Sequence, residues 1–517
     1  MASTTYDQDT ELHSKAIRIA RRPGVGVGDG LIEAARTSAT DVPVVSTGPA
    51  GHPGLEPLVL CTIDDQTALY PNADVDDVPE LVESLESGEL PTAGASEVLR
   101  HEQDGTGLLS SKTGALAVGE RRVLGSCGWI DSTDPTEHEF LTDDVAVDRI
   151  ADLGLLGRGR GDAATDAPVA KQWTTALETD GEPVVVVNAN EADERARADA
   201  LLVASVPFTV LDAATTVASH VDATELIVYV NETDDWLHEH LHRVIEAGRE
   251  YFDIVPTVVS GPDSYRAGEP TMALEALEGA DRIEARRGPP GPASHGLYGR
   301  PTVLHTPRTF AQIYQALVDP SAFDEADPDP GTRLVTVTGD VEAPATVELP
   351  TGRPLSTITD AVELTAGSAE QQGTLDFEAA VVGGQFGGFT ADLDVSVEAS
   401  SLRDASLGTN ESVELLAESR CVVAEVGERA KFAAAENCGR CVPCREGSTQ
   451  LLDVLREVYD GEYDAAGIRE LTRVMERSSI CDFGVETARM VASAVDEFES
   501  EFRAHANGHC PSKSCDH

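Results

Sequence analysis

Residues 182–260 alternate strand-like runs with helical patterns. They include EPVVVVN (182–188), ADERARADALLVAS (192–205), ELIVYVN (225–231), DDWLHEHLHRVIEAGRE (234–250) and FDIVPTVVS (252–260). Continuous β-branched runs of this kind are typical of strands that are buried on both faces of a sheet. The stretch therefore predicts an α/β domain, which we place at residues 106–330, with a parallel or mixed sheet covered by helices on both sides.

The residues before this domain differ from it in composition and hydrophobic pattern. Residues 1–30 are polar and then Gly-rich, which predicts a polar tail. Residues 31–105 combine short apolar runs with the helical pattern DDVPELVESLESGE and predict a small α/β domain. The stretch HEQDGTGLLSSKTG (101–114) predicts a linker, because small polar residues cannot form a core.

Two further units are predicted after the α/β domain. The sequence TRLVTVTGDVEAPATVELPTG (332–352) alternates apolar and polar residues around a turn at 339–344, which indicates a hairpin in a β-rich module at 331–405. A helical bundle is predicted at 406–505, followed by a Cys/His tail at 506–517. The bundle's apolar stripe at helical spacing consists of Val491, Val495, Phe498 and Phe502.

The charge of the chain is strongly negative. Its formal net charge is −53, it contains 38 basic and 91 acidic residues, and the acidic residues are spread along its length. This charge argues against nucleic acid as a partner. At molar salt the Debye length falls to about 3 Å, so self-repulsion is screened. We interpret the surface as adaptation to a salty, halophilic cytoplasm. An acidic protein from an ordinary cell is the alternative.

The expected location is cytoplasmic, without a direct membrane span. No run of 18 apolar residues occurs, and the first 15 residues lack a basic region followed by an apolar one. Nine cysteines, an odd number concentrated near the end of the chain, favour metal ligands and ordinary thiols over a disulfide framework.

Four cysteines predict an iron–sulfur site. Cys438, Cys441 and Cys444 follow one another at a spacing of three, and Cys481 follows after 36 intervening residues. On a regular helix the first and third thiols would diverge by roughly 120°, so we expect a tight loop that wraps a compact group. Three cysteines plus one is the arrangement of 4Fe-4S sites. A zinc site or unliganded thiols are the alternatives.

The motifs CGRCVPCREGS (438–448) and SSICDFG (478–484) resemble those of the NADH-binding flavoprotein subunit of respiratory complex I. Related subunits of NAD-linked hydrogenases and formate dehydrogenases are similar. The resemblance extends to LGLLGRGRG (153–161) and SGPDSYRAGEPTMALEALEG (260–279), and covers roughly residues 110–505. It implies hydride transfer from NADH to FMN, a 4Fe-4S cluster, and partner iron–sulfur subunits in a hetero-oligomeric complex. The flavin is needed between NADH and the cluster because nicotinamide gives electrons in pairs and a cluster takes them singly.

The resemblance also implies which residues contact the flavin. They fall on the Gly-rich loop, on the helix after it, behind the first long strand and on the turn of the second motif. These residues are Gly157, Arg158, Gly159, Gly161, Lys171, Asn188, Asn190, Glu191, Tyr265, Gly268 and Glu269.

The N-terminal stretch VVSTGPAGHPGLEPL (44–58) resembles a thioredoxin-like 2Fe-2S module. Its cysteine positions hold Pro49 and His52 or Pro53, so we predict a retained docking unit without a 2Fe-2S cluster. For residues 331–405 the resemblance implies a ubiquitin-like β-grasp (soluble-ligand-binding) module.

Several positions depart from the family pattern. The loop DAATDAPVA (162–170) is longer and has no aromatic residue, Gly291 replaces an expected aromatic residue, Pro270 replaces a second glutamate, and His305-Thr306 replaces two asparagines. Lost aromatic residues weaken the expected NADH contacts. An NADH:acceptor oxidoreductase is therefore weighed against a re-purposed electron-transfer or scaffold subunit, and the enzyme is favoured.

The remaining cysteines have simpler interpretations. Cys61, Cys127 and Cys421 are expected to be buried small hydrophobic residues. In the tail GHCPSKSCDH (508–517), Cys510 and Cys515 with the two histidines His509 and His517 have the donors for zinc, but a mobile tail is favoured.

Overall fold

A computed structural model describes residues 14–21, 27–100, 111, 114–142, 145–365 and 377–515. Within these residues the chain forms a mixed α/β, multidomain structure with three sheets and a C-terminal helical unit. The predicted linker at 101–114 lies mostly outside the described residues.

The first unit is a five-stranded sheet with strand order β2-β1-β3-β4-β5. Strand β1 is parallel to β2 and antiparallel to β3. It lies inside residues 1–30, so the prediction of a polar tail there is wrong. The reason is that KAIRIA is a central strand, in which even Arg18 is buried. The elements are β1 (Lys15–Ala20), α1 (Val27–Ser38), β2 (Val44–Thr47), β3 (Leu58–Ile63), β4 (Gln66–Tyr70), α2 (Val78–Glu86) and β5 (Glu97–Arg100).

The second unit contains a parallel sheet with strand order β8-β7-β6-β9. Its elements are α3 (Arg149–Leu153), α4 (Ala170–Glu178), β6 (Val184–Ala189), α5 (Ala198–Ser205), α6 (Pro207–His220), β7 (Glu225–Asn231), α7 (Asp235–Ala247), β8 (Thr257–Gly261), α8 (Pro270–Leu277), α9 (Pro292–His295), β9 (Thr302–His305) and α10 (Pro307–Val318).

Helices cover this sheet on both faces, as the sequence pattern predicted. Val185 and Val187 of β6 belong to the core that includes α6 and α10, whereas Val184 and Val186 pack with α8. β7 and β9 flank β6 on opposite sides, and at such a switch point of an α/β sheet ligands bind outside the carboxyl ends of the strands.

The third unit is a sheet with strand order β11-β10-β14-β12-β13. The predicted hairpin is present, because β10 and β11 are antiparallel. Residues 412–416 pair in parallel with β10, so the module continues past its predicted end at residue 405. The elements are β10 (Thr332–Gly339), β11 (Ala345–Pro350), β12 (Ala379–Val382), β13 (Gly388–Thr390), α11 (Ala399–Asp404) and β14 (Ser412–Leu416).

The C-terminal unit is helical. Its elements are α12 (Val422–Glu436), α13 (Val442–Tyr459), α14 (Ala465–Ser478), α15 (Asp482–Glu497) and α16 (Glu499–Ala506). The predicted apolar stripe is buried, although the helix breaks at Phe498, between α15 and α16.

Among the described helices, none is by itself long and apolar enough to cross a membrane. The pair α5 and α6, bent by 97° at its break, meets that test by length and composition only.

Candidate cofactor sites

The Gly-rich loop at residues 157–161 lies at the carboxyl ends of β6 and β9. Asn188, near the end of β6, donates hydrogen bonds from Nδ2 to the carbonyl of Gly161 (2.8 Å) and to that of Gly268 (3.0 Å). A Cβ atom on Gly161 would lie 2.9 Å from the same amide nitrogen. Asn188 therefore fastens the loop to the turn at 265–268, and the close approach requires glycine.

The Arg158 side chain is turned into the protein. Its guanidinium forms a buried ion pair with Asp329 at 2.6 Å and donates to the Pro330 carbonyl at 2.9 Å. The backbone nitrogen of Arg158 donates to Thr309 Oγ1 at the start of α10. The side chain thus anchors the loop, and a phosphate would meet backbone amides here rather than this guanidinium.

A hydrogen-bonded triad supports the altered part of the loop. Asp162 lies 2.9 Å from His305 Nδ1, and Trp173 Nε1 donates to His305 Nε2 at 3.0 Å. Because the indole can only donate, Nε2 accepts and the proton of the neutral imidazole is on Nδ1. His305, which differs from the family pattern, is therefore hydrogen-bonded to Asp162, the first residue of the altered loop.

Arg160, which the sequence analysis did not single out, lies beside the predicted site residue Tyr265. Its guanidinium lies 3.7 Å from the centre of the Tyr265 ring, and its Nη2 is buried without a hydrogen-bond partner in the described part of the chain. Burial disfavours the charge, but Tyr265, Glu486 and Glu269 outweigh it and raise the pKa of Arg160. An arginine between two glycines of the loop was the available signal.

Unsatisfied polar groups lie beside this loop. The Asn190 amide and the Tyr229 hydroxyl are buried next to each other without a close hydrogen bond, and the Ser264 hydroxyl is buried without a hydrogen-bond partner within the described residues. Buried polar atoms are normally paired, so an unpaired group points to a missing ligand. A flavin mononucleotide, with a polar ribityl chain and a phosphate, fits this set of donors and acceptors.

Two of the predicted flavin contacts, the carboxylates of Glu191 and Glu269, already have partners within the protein. Glu191 forms an ion pair with Arg308 at 2.6 Å and accepts from the backbone nitrogen of Ala200 in α5. Burial, and then Asp199, raises the pKa of Glu191 to about 7. Glu269 caps α8 by accepting from the backbone nitrogen of Met272.

Pro270 and Lys171 both lie in the first turn of a helix. Pro270 occupies the first position of α8, where proline is favoured because its missing N–H would have no partner. Lys171 is exposed on α4, and its neighbour Gln172 donates to the carbonyl of Ala163 in the loop.

The structure brings the four predicted cluster cysteines together. Cys441 and Cys438 lie near Cys444, and Cys438 and Cys444 lie near Cys481. Cys441 and Cys481 also pack against the apolar core that contains Cys444. Burial, and then Cys441 and Cys438, raises the pKa of the Cys444 thiol to about 12. Burial is also the largest of the effects that raise the pKa of Cys481. Bound iron would offset this cost by stabilising the thiolates.

Helix ends and hydrogen bonds shape the cysteine loop. Cys441 precedes α13 and Cys481 precedes α15, where the N-terminal dipole favours a thiolate. Arg282 donates to the Cys438 carbonyl at 3.1 Å, and Arg445 donates to the Gly439 carbonyl at 2.9 Å.

Comparison with known proteins identifies the two sites. Residues 150–315 match the model of the Nuo51 FMN-binding domain, and residues 424–505 match the NADH-ubiquinone oxidoreductase-F iron-sulfur binding region. In these two regions the chain is similar to this flavoprotein family. Its cofactors are accordingly FMN and a 4Fe-4S cluster, the latter in the region that contains all four cysteines.

Relatives match most of the chain. It is 26% identical over 424 residues to the NADP-reducing hydrogenase subunit HndC of Solidesulfovibrio fructosivorans, covering 75% of this chain and 84% of that protein. It is 29% identical over 396 residues to the F-type subunit of NADH-quinone oxidoreductase in Mycobacterium tuberculosis, covering 71% and 86%. A crystal structure of the NAD+-reducing NiFe hydrogenase in the H2-reduced state has the same fold, with a TM-score of 0.62 at 22% identity over 95% of this chain and 84% of that chain.

In this flavoprotein an aromatic cluster separates the loop from the cysteines. Tyr265 contacts the rings of Phe386, Phe432 and Phe483 edge-on, with centroids 5.4 to 6.0 Å apart. Phe483 follows Cys481 by two residues. One face of Tyr265 thus meets Arg160 of the flavin loop, while its edges meet the unit that carries the cysteines.

Residues 49–52 of the N-terminal unit contact the second and third units. Ser205 donates to the Pro49 carbonyl at 2.7 Å, and His52 Nε2 lies 2.8 Å from the Ala361 carbonyl. Cys61 and Cys127 are buried, and burial raises the pKa of each thiol to about 12.

Proposed function

We propose that this chain is the electron-transfer flavoprotein subunit of an NADH dehydrogenase-type complex, an NADH:acceptor oxidoreductase. Electrons pass from NADH through FMN to the 4Fe-4S cluster and on to a partner subunit. The observation that carries the proposal is the position of Tyr265, which contacts the flavin loop on one side and the cysteine unit on the other. A bound flavin accepts electrons in pairs and delivers them singly.

The flavin site is assigned to the region outside the carboxyl ends of β6 and β9. The backbone of residues 157–161 would hold the phosphate, and Arg160 would supply a positive charge. Asn190 offers its buried amide to the ligand, while Asn188 and Gly268 hold the loop in place. Arg158, Glu191 and Glu269 act by positioning this frame, because their side chains are already engaged.

The cluster is assigned to Cys438, Cys441, Cys444 and Cys481. Two helix N-termini and the surrounding apolar side chains favour the thiolates and limit the access of water, which helps to set the reduction potential.

The four units are assigned as follows, with a docking role for the first. Residues 15–100 form a thioredoxin-like module without an iron–sulfur cluster, residues 114–330 the flavin domain, residues 331–416 a β-grasp-like module and residues 417–506 the cluster-binding bundle. The contacts of Pro49 and His52 with the second and third units support the docking role.

The partners are other iron–sulfur subunits, consistent with relatives that are named as subunits of larger enzymes. The location is a salty cytoplasm, peripheral to the membrane through these partners, in keeping with the net charge of −53.

The assignment is tested by cofactor analysis of the full chain purified anaerobically in molar salt. Wild type is expected to contain FMN and to show the electron paramagnetic resonance of a reduced 4Fe-4S cluster. Cys441→Ser should abolish the resonance and keep the FMN. A resonance that survives Cys441→Ser, or a wild-type protein without FMN, would contradict the assignment.

A further inference from the structure

A second group of sulfur and nitrogen ligands lies far from the iron–sulfur cysteines. The thiols of Cys421, Cys510 and Cys515 and one ring nitrogen of His505 all lie within 4.8 Å of one another. Three of the residues are buried, and Cys515 is half-buried. The four residues come from the start of α12, the end of α16 and the segment after it.

The spacing of these donors suits a single ion. Zinc binds cysteine sulfur at about 2.3 Å and histidine nitrogen at about 2.0 Å, so donors on a tetrahedron stand about 3.8 Å apart or slightly less. Cys421 Sγ is already 3.2 Å from His505 Nε2. Small movements of the other thiols would complete the tetrahedron.

The orientation of His505 is set by the backbone. Its Nδ1 lies 2.8 Å from the carbonyl oxygen of Glu501, one turn earlier in α16. A carbonyl can only accept, so Nδ1 carries the proton and the lone pair of Nε2 faces Cys421. A second hydrogen bond of this kind is the usual support of a metal-binding histidine.

Backbone contacts hold the segments that carry the thiols, and the thiolate is the form that binds metal. Cys421 caps α12 and accepts from the backbone nitrogen of Ala424 at 3.4 Å. The turn after Cys510 closes through the backbone nitrogen of Lys513, whose φ of 58° brings the chain back to Cys515. Cys510 Sγ lies 3.2 Å from Ser512 Oγ in the same turn.

We propose that Cys421, His505, Cys510 and Cys515 bind one zinc ion in a closed, tetrahedral, structural site. The ion fastens residues 507–515 to α12 and α16. This site is separate from the iron–sulfur site, because Cys438 follows the other end of α12, a 15-residue helix of about 22 Å.

This assignment changes two sequence-based interpretations. Cys421 is not an ordinary buried hydrophobic residue, since it faces a histidine and two thiols. His509, which the sequence suggested as a ligand, is exposed, and His517 lies outside the described residues.

The test is metal analysis of the full chain, expressed with zinc and iron supplied and purified without chelator. Wild type is expected to retain about one zinc ion per chain beside the iron of its cluster. Cys515→Ser, at the least buried ligand, should lose most of the zinc and keep iron and flavin. The matched control His509→Ala, at the neighbouring histidine, should keep all three.

A second experiment tests the site without substituting a ligand, so that it does not depend on the folding of Cys515→Ser. Wild type grown with cobalt in place of zinc should show the intense visible bands of tetrahedral cobalt bound to thiolates, and Cys441→Ser should keep them. Three results would overturn the proposal: wild type without zinc or cobalt, Cys515→Ser with a full zinc content, or Cys515→Ser that loses iron while it keeps zinc.

Discussion

At the scale of single residues, the proposed flavin site contains buried polar groups without close hydrogen-bond partners. Asn190 and Arg160 are buried beside the loop without partners for their terminal nitrogens within the described residues. The sequence pointed to Asn190 through its position behind β6. It did not point to Arg160, because that position lies between the glycines that carry the resemblance.

Asn190→Ala is expected to weaken FMN binding about tenfold, since the loss of one buried hydrogen bond of about 1.4 kcal/mol has that effect. The dissociation constant can be measured by fluorescence titration of the flavin-free protein. Asn507→Ala, at an exposed asparagine after α16, is the control and should bind FMN normally. Equal affinities for both variants would remove Asn190 from the site.

The stability of the flavin-free protein should depend on Glu486. Burial, and then Asp482, raises the pKa of Glu486 from 4.5 to about 8, against the positive charges of Arg160 and Arg489, with Asp193 adding a smaller rise. The folded state therefore binds more protons than the unfolded state between these values, so stability falls as the pH rises from about 5 to about 8.

The measurement is the thermal unfolding midpoint at constant molar salt across that pH range. Glu486→Gln cannot ionise and should flatten the fall of the midpoint. A variant with the same slope as wild type would show that Glu486 does not titrate in this window.

At the scale of elements, the sequence predicted the features that depend on residues close together along the chain. The alternating runs at 182–260 gave a parallel sheet covered on both faces, and the spacing of Cys438, Cys441 and Cys444 gave a loop with one distant partner. Strand β1 was missed because its flanks are polar, and its burial comes from β2 and β3 on either side. The sequence did not associate Cys421 with His505, because the two residues are 84 positions apart.

Gly161→Ala tests the flavin loop as an element. The new methyl group would lie 2.9 Å from Asn188 Nδ2, so the loop must shift and FMN occupancy should fall severalfold while the cluster resonance remains. Gly427→Ala is the matched control. Its methyl group meets no atom within 4 Å in the interior of α12, so occupancy should be unchanged and stability should rise by about 0.5–1 kcal/mol. Equal FMN occupancy in the two variants would contradict the assigned role of the loop.

At the scale of the whole molecule, four units are joined by contacts that no single motif encodes. The N-terminal unit reaches the flavin domain through Ser205 and the third unit through Ala361. Such contacts depend on the assembled fold, which is why the sequence predicted a docking unit but not its surface. Substitutes for the missing family aromatics likewise cannot be identified from the sequence, because they would come from elements distant along the chain.

The net charge of −53 predicts a strong dependence of stability on salt. Between molar salt and about 0.1 M the Debye length grows from about 3 to about 10 Å, so repulsion between acidic side chains increases. The thermal unfolding midpoint should fall steeply on dilution into about 0.1 M potassium chloride, and sucrose should restore it only in part. A midpoint that is independent of salt would contradict the halophilic interpretation.

The central claim is that electrons from NADH enter the flavin site and leave through the cysteine-bound cluster. Its most direct test is anaerobic addition of NADH to the purified holoprotein in molar salt, followed by absorbance and electron paramagnetic resonance. We expect the flavin bands to bleach in wild type and in Cys441→Ser, and the cluster resonance to develop only in wild type. Flavin bands that NADH leaves unchanged in wild type would contradict the account.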